Sequence, residues 1–159
     1  MTALDHDMWD IIESAKLAFV ATVNQDGSPN LSPKGSLHVY DDDRVAFMDI
    51  ASPGTIENLA RNPRIEIVVI DLLRRRGYRF SGAAEVHSPG SSVHAWLNHW
   101  LQDRNGPGYP ANHAVVLKIE QVRPVFSPAY TYGAADENTL TAQFSDAYLN
   151  TLTPPNDRC

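Results

Sequence analysis

The sequence predicts a mainly β protein, a six-stranded antiparallel β-barrel with two or three peripheral helices. Three observations predict it. Six runs of strand length, at positions 17–24, 30–40, 45–50, 65–71, 78–86 and 114–122, alternate or stay apolar and are rich in β-branched and aromatic residues. Most follow one another through short connections, led by the hairpin signal Asp26-Gly27, so neighbours pair antiparallel. Only two helices are clearly marked, each opened by a Ser-Pro pair, and hairpins with few helices close into a small barrel.

In chain order, Met8, Ile11, Ile12 and Ala15 recur at helical spacing and predict a short leading helix. The apolar run 17–23 opens the first strand, and Asp26-Gly27 turns it. The second strand, 30–40, puts Leu31, Pro33, Gly35, Leu37 and Val39 on one face and Ser32, Lys34, Ser36 and His38 on the other. Pro33 cannot donate to a ladder, which predicts a sheet edge or a bulge. Asp41-Asp42-Asp43 turns the chain into strand 45–50. Ser52-Pro53 then supplies an N-cap and a first helical residue, Arg61 sits in the last turn, and Pro63 stops the helix. The run 65–71 reads as a strand buried on both faces. Residues 72–77 form a basic connection, and 78–86 alternates again. Ser88-Pro89 opens a helix whose Val93, Trp96, Leu97, Trp100 and Leu101 make a buried stripe, with both tryptophans in the core. Strand 114–122 continues irregularly to Pro128. The sequence thus divides into a barrel, 1–128, and a polar arm, 129–159. Residues 140–152 suit a helix, and the arm lies either on its own barrel or on a partner.

Composition narrows the function. With 159 residues, 43% of them hydrophobic and 20% charged, the chain can bury one sizeable core. A net charge of −6 argues against general nucleic-acid binding. No apolar run reaches transmembrane length, and residues 1–10 are acidic rather than signal-like. The single cysteine, Cys159, allows no intrachain disulfide, so a cytoplasmic setting is expected. No metal site is expected: His94 and His99 fall about 140° apart on their helix, and no cysteine joins them.

One constellation points to a ligand. A short helix starting at Ser52-Pro53 follows strands that carry Lys34, one of only three lysines. Free amides and partial positive charge at a helix start, beside an ammonium, suit a phosphate. The same spacing equally fits a solvated lysine on a half-exposed strand. Arg74, Arg75, Arg76 and Arg79 form the one basic cluster. It reads either as a solvated loop or as a second anion contact, with Arg79 on the face opposite Tyr78 and Phe80. His38 is the one titratable side chain of the lysine face that could transfer a proton, and a structural hydrogen bond is its expected role. Tyr130 and Tyr132 are surface residues or aromatic walls of a site shared between two chains.

Several runs in fixed order resemble the pyridoxamine 5′-phosphate oxidase-like family of FMN-binding split barrels. They are Ser32-Pro33-Lys34-Gly35, Phe47-Met48-Asp49, Ser52-Pro53-Gly54-Thr55 and Asn58-Leu59-Ala60-Arg61-Asn62-Pro63-Arg64, with Gly82-Ala83-Ala84-Glu85 downstream. The resemblance implies a split barrel, FMN as cofactor, and a homodimer with two grooves at its interface. It implies Lys34 at the phosphate, with Ser52, Thr55 and Asn58 at the helix start. Ser32 and Pro33 would lie along the isoalloxazine, and Met48, Asp49 and Ile50 would border its pyrimidine edge, largely through backbone.

The departures matter too. Gly54-Thr55 stands where vitamin B6 oxidases of the family carry Arg-Lys, and Gly77 where they carry glutamine. Their C-terminal Arg-x-x-Arg-Leu-type segment has no counterpart after Pro128. The expectation is therefore an FMN-dependent oxidoreductase of unassigned small-molecule substrate, taking electrons from a donor such as NAD(P)H, that does not oxidise vitamin B6. Arg76 or Arg79 would make up the missing phosphate charge, and Tyr130 would cover the ring. The alternatives are a non-catalytic FMN carrier, or the same barrel binding a deazaflavin or haem.

Overall fold

The computed structural model describes residues 3–152. The leading helix, α1 (His6–Ala15), is capped by Asp5, whose side chain accepts from the Met8 amide. Seven strands follow: β1 (Ala18–Val23), β2 (Pro29–Lys34), β3 (His38–Asp41), β4 (Arg44–Asp49), β5 (Arg64–Asp71), β6 (Arg76–His87) and β7 (His113–Phe126). Between them lie α2 (Pro53–Arg61) and α3 (Ser92–Asn105), and α4 (Pro128–Tyr132) and α5 (Glu137–Leu152) follow β7. Every pairing is antiparallel, in the order β2-β1-β5-β6-β7-β4-β3.

The count is seven rather than six because the run 30–40 breaks at Gly35-Ser36-Leu37. Its halves, β2 and β3, become the two opposite edges of the sheet. Consecutive in sequence yet at opposite edges, they force the sheet to curl into a barrel split between them. The break also swaps faces. In β2, Leu31 and Pro33 point out and Lys34 points in, whereas in β3 it is Val39 that points in. Pro33 sits on an edge strand, as its missing donor requires. Helix α1 covers the split: Glu13 accepts from the Val39 amide at 3.0 Å and meets His38 Nδ1 at 3.0 Å.

Two cores result. Inside the barrel, Val20, Val45, Phe47, Ile67, Phe80 and Leu117 are essentially solvent-free. On its outside, α3 packs Val93, Leu97 and Leu101 onto Ala46, Met48, Ala114 and Val116 of β4 and β7. Fully burying one such leucine stabilises the fold by roughly 1.5–3 kcal/mol. Two expectations need correction here. β5 is buried on one face only, through Ile65, Ile67 and Val69, while Glu66, Val68 and Ile70 look outward half-covered. Trp96 is 41% exposed, because α3 lies over the edge of the sheet and its tryptophans reach past the core onto His38 and Tyr40. Among the described residues, no helix is long and apolar enough to cross a membrane.

Glycine is required where backbones touch. A Cβ at Gly77 would stand 1.9 Å from the Val69 carbonyl oxygen, and one at Gly82 would stand 2.0 Å from that of Lys118. Gly82 follows the β6–β7 register shift.

Candidate functional site

The inward residues of β2 at even numbers are polar: Asn30, Ser32 and Lys34. They meet the start of α2, which the chain reaches directly from β4. Lys34 is 7% exposed. Its ammonium donates to Ser32 Oγ at 2.9 Å and Ser52 Oγ at 2.5 Å, and stands 5.6 Å from the centre of the Phe47 ring. Among the described residues no carboxylate is within ion-pair distance of it; Asp49 is reached through Ser52, whose amide and hydroxyl donate to Asp49 Oδ1 at 2.9 and 2.7 Å. Ser52 occupies the N-cap position but does not use its hydroxyl as a cap. That hydroxyl is held between Lys34 and Asp49. Burial lowers the Lys34 pKa from its ordinary value, and Asp49 partly restores it.

Asp49 is itself 3% exposed and faces His113 across the β4–β7 ladder, with Nδ1 at 3.4 Å from Oδ2. The line Lys34–Ser52–Asp49–His113 thus runs from the barrel interior to the surface. It emerges in a groove of about 640 Å³ lined by Asp49, Pro53, Ile56, Glu57, Asn112 and His113, among others. His94 fixes one wall by bonding the Ala111 carbonyl at 3.0 Å, and Asn112 bonds the Ile50 carbonyl at 2.9 Å.

Ser32, Lys34, Asp49 and Ser52 come together as described. Pro33, their neighbour, points to the outside of the sheet. Met48 and Ile50 flank Asp49, but the Met48 amide and carbonyl are already bonded to the Ser36 hydroxyl. Thr55 and Asn58 belong to an adjoining buried network. Asn30 donates to Thr22 and Thr55, and Asn58 donates to Thr22 and Asn24 while accepting from Arg61.

Arg76, Arg79 and Tyr130 lie elsewhere. Arg76 is clamped by Asp7, both bonds 2.8 Å, and by Glu137. The Arg76 and Tyr78 hydrogen bonds hold the Asp7 carboxyl down at about 2. Arg79 is on the outer face of the sheet, 3.3 Å from Glu66. Tyr130 donates to the Arg74 carbonyl at 2.6 Å, at the β5–β6 hairpin. His38 faces outward under α3, so His113 rather than His38 stands on the lysine side.

His113 and Asn30 were not among the sequence candidates. Asn30 had a signal, being two and four residues from Ser32 and Lys34 on one strand. His113 had none, since only the long-range β4–β7 register brings it to Asp49. Among the described residues, no group of three or more His, Cys, Asp or Glu side chains is placed to hold a metal.

Known proteins resemble this arrangement over most of its length. The family model described as pyridoxamine 5′-phosphate oxidase matches residues 4–126. Group A Streptococcus HupZ superposes with a TM-score of 0.69 at 32% identity, covering 78% of this chain and 95% of that one. A Lactobacillus delbrueckii protein solved under a provisional pyridoxamine 5′-phosphate oxidase name gives 0.64 at 25% identity, covering 77% and 95%. An FMN-binding protein of Syntrophomonas wolfei shares the fold, with a TM-score of 0.66 at 16% identity and coverage of 76% and 84%.

Proposed function

The chain belongs to the pyridoxamine 5′-phosphate oxidase family, and from that premise we propose that it is a homodimeric, FMN-dependent oxidoreductase acting on a small molecule other than vitamin B6. The observation that carries the cofactor reading is Lys34. A buried ammonium held by two hydroxyls, with no direct carboxylate partner among the described residues, is costly unless an anion completes it. The donor set therefore fits a phosphate: Lys34 and Ser32 would donate to it at the start of α2, while Ser52 keeps its hydroxyl proton on Asp49 and holds the Lys34 ammonium in place. Bound FMN would supply hydride acceptance and donation, which no side chain here provides. Asp49 keeps the Ser52 hydroxyl oriented, and the His113 imidazole stands at the mouth of the groove.

The dimer reading rests on the outer face of β2, β1 and β5. Leu31 is 65% exposed there, Val23 44% and Phe19 36%. Such a face, contiguous on neighbouring strands, suits an interface between copies. The B6 exclusion rests on Gly54-Thr55 and on Gly77, where the Val69 carbonyl leaves no room for any side chain. Two measurements test the function. Purified protein loaded with FMN should bleach with NAD(P)H and re-oxidise with an acceptor, while pyridoxamine and pyridoxine phosphates give no turnover. Robust oxidation of either phosphate at micromolar substrate contradicts the substrate reading.

A further inference from the structure

The groove beside Asp49 is poor in hydrogen-bond donors. Two of its lining residues, Pro53 and Pro89, have no N–H to offer. The Asn112 amide donates to the Asp49 carbonyl at 3.0 Å, and its side-chain NH2 donates to the Ile50 carbonyl at 2.9 Å, which leaves one side-chain hydrogen. In the first turn of α2, the Thr55 and Ile56 amides turn back onto the Ser52 carbonyl at 3.0 and 3.4 Å. No lysine or arginine lines the groove.

Its acceptors, by contrast, are open. Asp49 takes the Ser52 amide and hydroxyl on Oδ1, which leaves Oδ2 to accept from His113 Nδ1 at 3.4 Å. A neutral imidazole that donates through Nδ1 carries its lone pair on Nε2. Nε2 has no partner among the described residues, and the His113 side chain is 36% exposed on the groove wall. Glu57, one turn into α2, is exposed on the same wall, with neither a hydrogen bond nor an ion pair among the described residues. Ile56, Ala111 and the two proline rings make the rest of the lining apolar. A volume of about 640 Å³ suits a small molecule. Such a molecule must bring its own donors, a positive charge and an apolar body. A phosphate or carboxylate would meet like charge and few donors there.

We infer that this groove binds a small organic ammonium that carries no phosphate. Glu57 supplies the counter-charge, His113 Nε2 accepts one N–H, and Asp49 is the positioning residue that fixes the imidazole's tautomer. The inference rests on the proposed function and deepens it, by naming the substrate class of its groove.

Three probes of one size and different charge test it: benzylamine, benzyl alcohol and benzoate. Each is titrated into the FMN-loaded protein at low salt and followed by nitrogen NMR of the histidine rings, with His113→Gln identifying the His113 signals. Before any probe is added, neutral His113 should carry its proton on Nδ1. Benzylamine should shift the Nε2 resonance and bind about tenfold more tightly than benzoate and about fivefold more tightly than benzyl alcohol. Glu57→Gln, on an exposed helix face, should erase the preference over benzyl alcohol and leave benzyl alcohol binding unchanged. Benzoate binding as tightly as benzylamine overturns the inference. So does a proton resident on Nε2, or an unchanged benzylamine affinity in Glu57→Gln. If wild-type protein binds no FMN, the proposed function fails, and the same titration of the unloaded protein still decides whether the groove prefers the ammonium. If FMN binds and benzylamine is not preferred, the ammonium site alone is refuted.

Discussion

Lys34 costs the free protein stability and is expected to recover it on binding. Burial depresses its pKa, so the unfolded chain binds this proton more tightly than the folded one. Stability from this group therefore rises with pH as pH approaches the ordinary lysine value of 10.5. Lys34→Met should accordingly melt no lower than wild type at pH 7 in the absence of ligand, and any advantage should shrink towards pH 10.5. Thermal melts across that range check it. A clearly lower melting point for the methionine variant would mark Lys34 as a structural lysine. Asp7 gives the same slope in its own window, but there the charged form is the one the fold stabilises. Its carboxyl is held down at about 2 from 3.8, so its contribution is complete above about pH 4 and is lost as pH falls through 2. Because the side chain is 42% exposed, solvent screening limits that contribution to the ~1 kcal/mol scale of surface pairs. Asp7→Asn should lower stability slightly at neutral pH and flatten the acid limb of the unfolding curve between pH 4 and 2.

At the scale of elements, two joints are decisive. β5 and β6 approach so closely at Gly77 that Gly77→Ala must push their backbones apart. A cost of about 1–3 kcal/mol, read as a shift in the urea midpoint, is expected. The arm is fastened by α5, where Leu140 is 3% exposed, Arg75 lies 4.4 Å over Phe144, and Glu137 reaches Arg74 and Arg76. Leu140→Ala should cost about 2–5 kcal/mol of local stability. Limited proteolysis should then release the arm and leave the barrel intact.

The sequence showed unequally how these elements sit. Turns and helix starts were legible because their signals are local: Asp26-Gly27, Ser52-Pro53 and Pro63 all mark what the structure builds. The break of 30–40 into β2 and β3 was not, since alternation runs unbroken through Gly35 while the chain there leaves one sheet edge for the other. Trp96 obeyed helical periodicity and still lies half outside, because periodicity identifies a helix face but not the width of the sheet beneath it. That Ser32 and Lys34 share a face, and that a helix starts at Ser52, was legible from strand parity and an N-cap signal; Ser32 entered the candidate site only through the family resemblance. His113 was hidden, as was the commitment of Arg76 to Asp7, because both depend on contacts more than sixty residues apart.

For the whole molecule, the barrel, the groove and the apolar outer sheet make one expectation. A polar line, Lys34 to His113, leads to an open groove, and Phe19, Val23 and Leu31 leave an apolar outer face uncovered. Sedimentation of the yellow protein at micromolar concentration should give a dimer, and a stable yellow monomer would refute it. The most direct measurement is a titration of wild type and Lys34→Ala with FMN and with riboflavin, which lacks the phosphate. Lost charge-assisted contacts are worth roughly 1.5–3 kcal/mol, so the variant should bind FMN about one to two decades more weakly. Riboflavin should bind wild type more weakly than FMN does and scarcely register the substitution. Equal FMN affinity in wild type and variant would contradict the assignment of Lys34 to the phosphate.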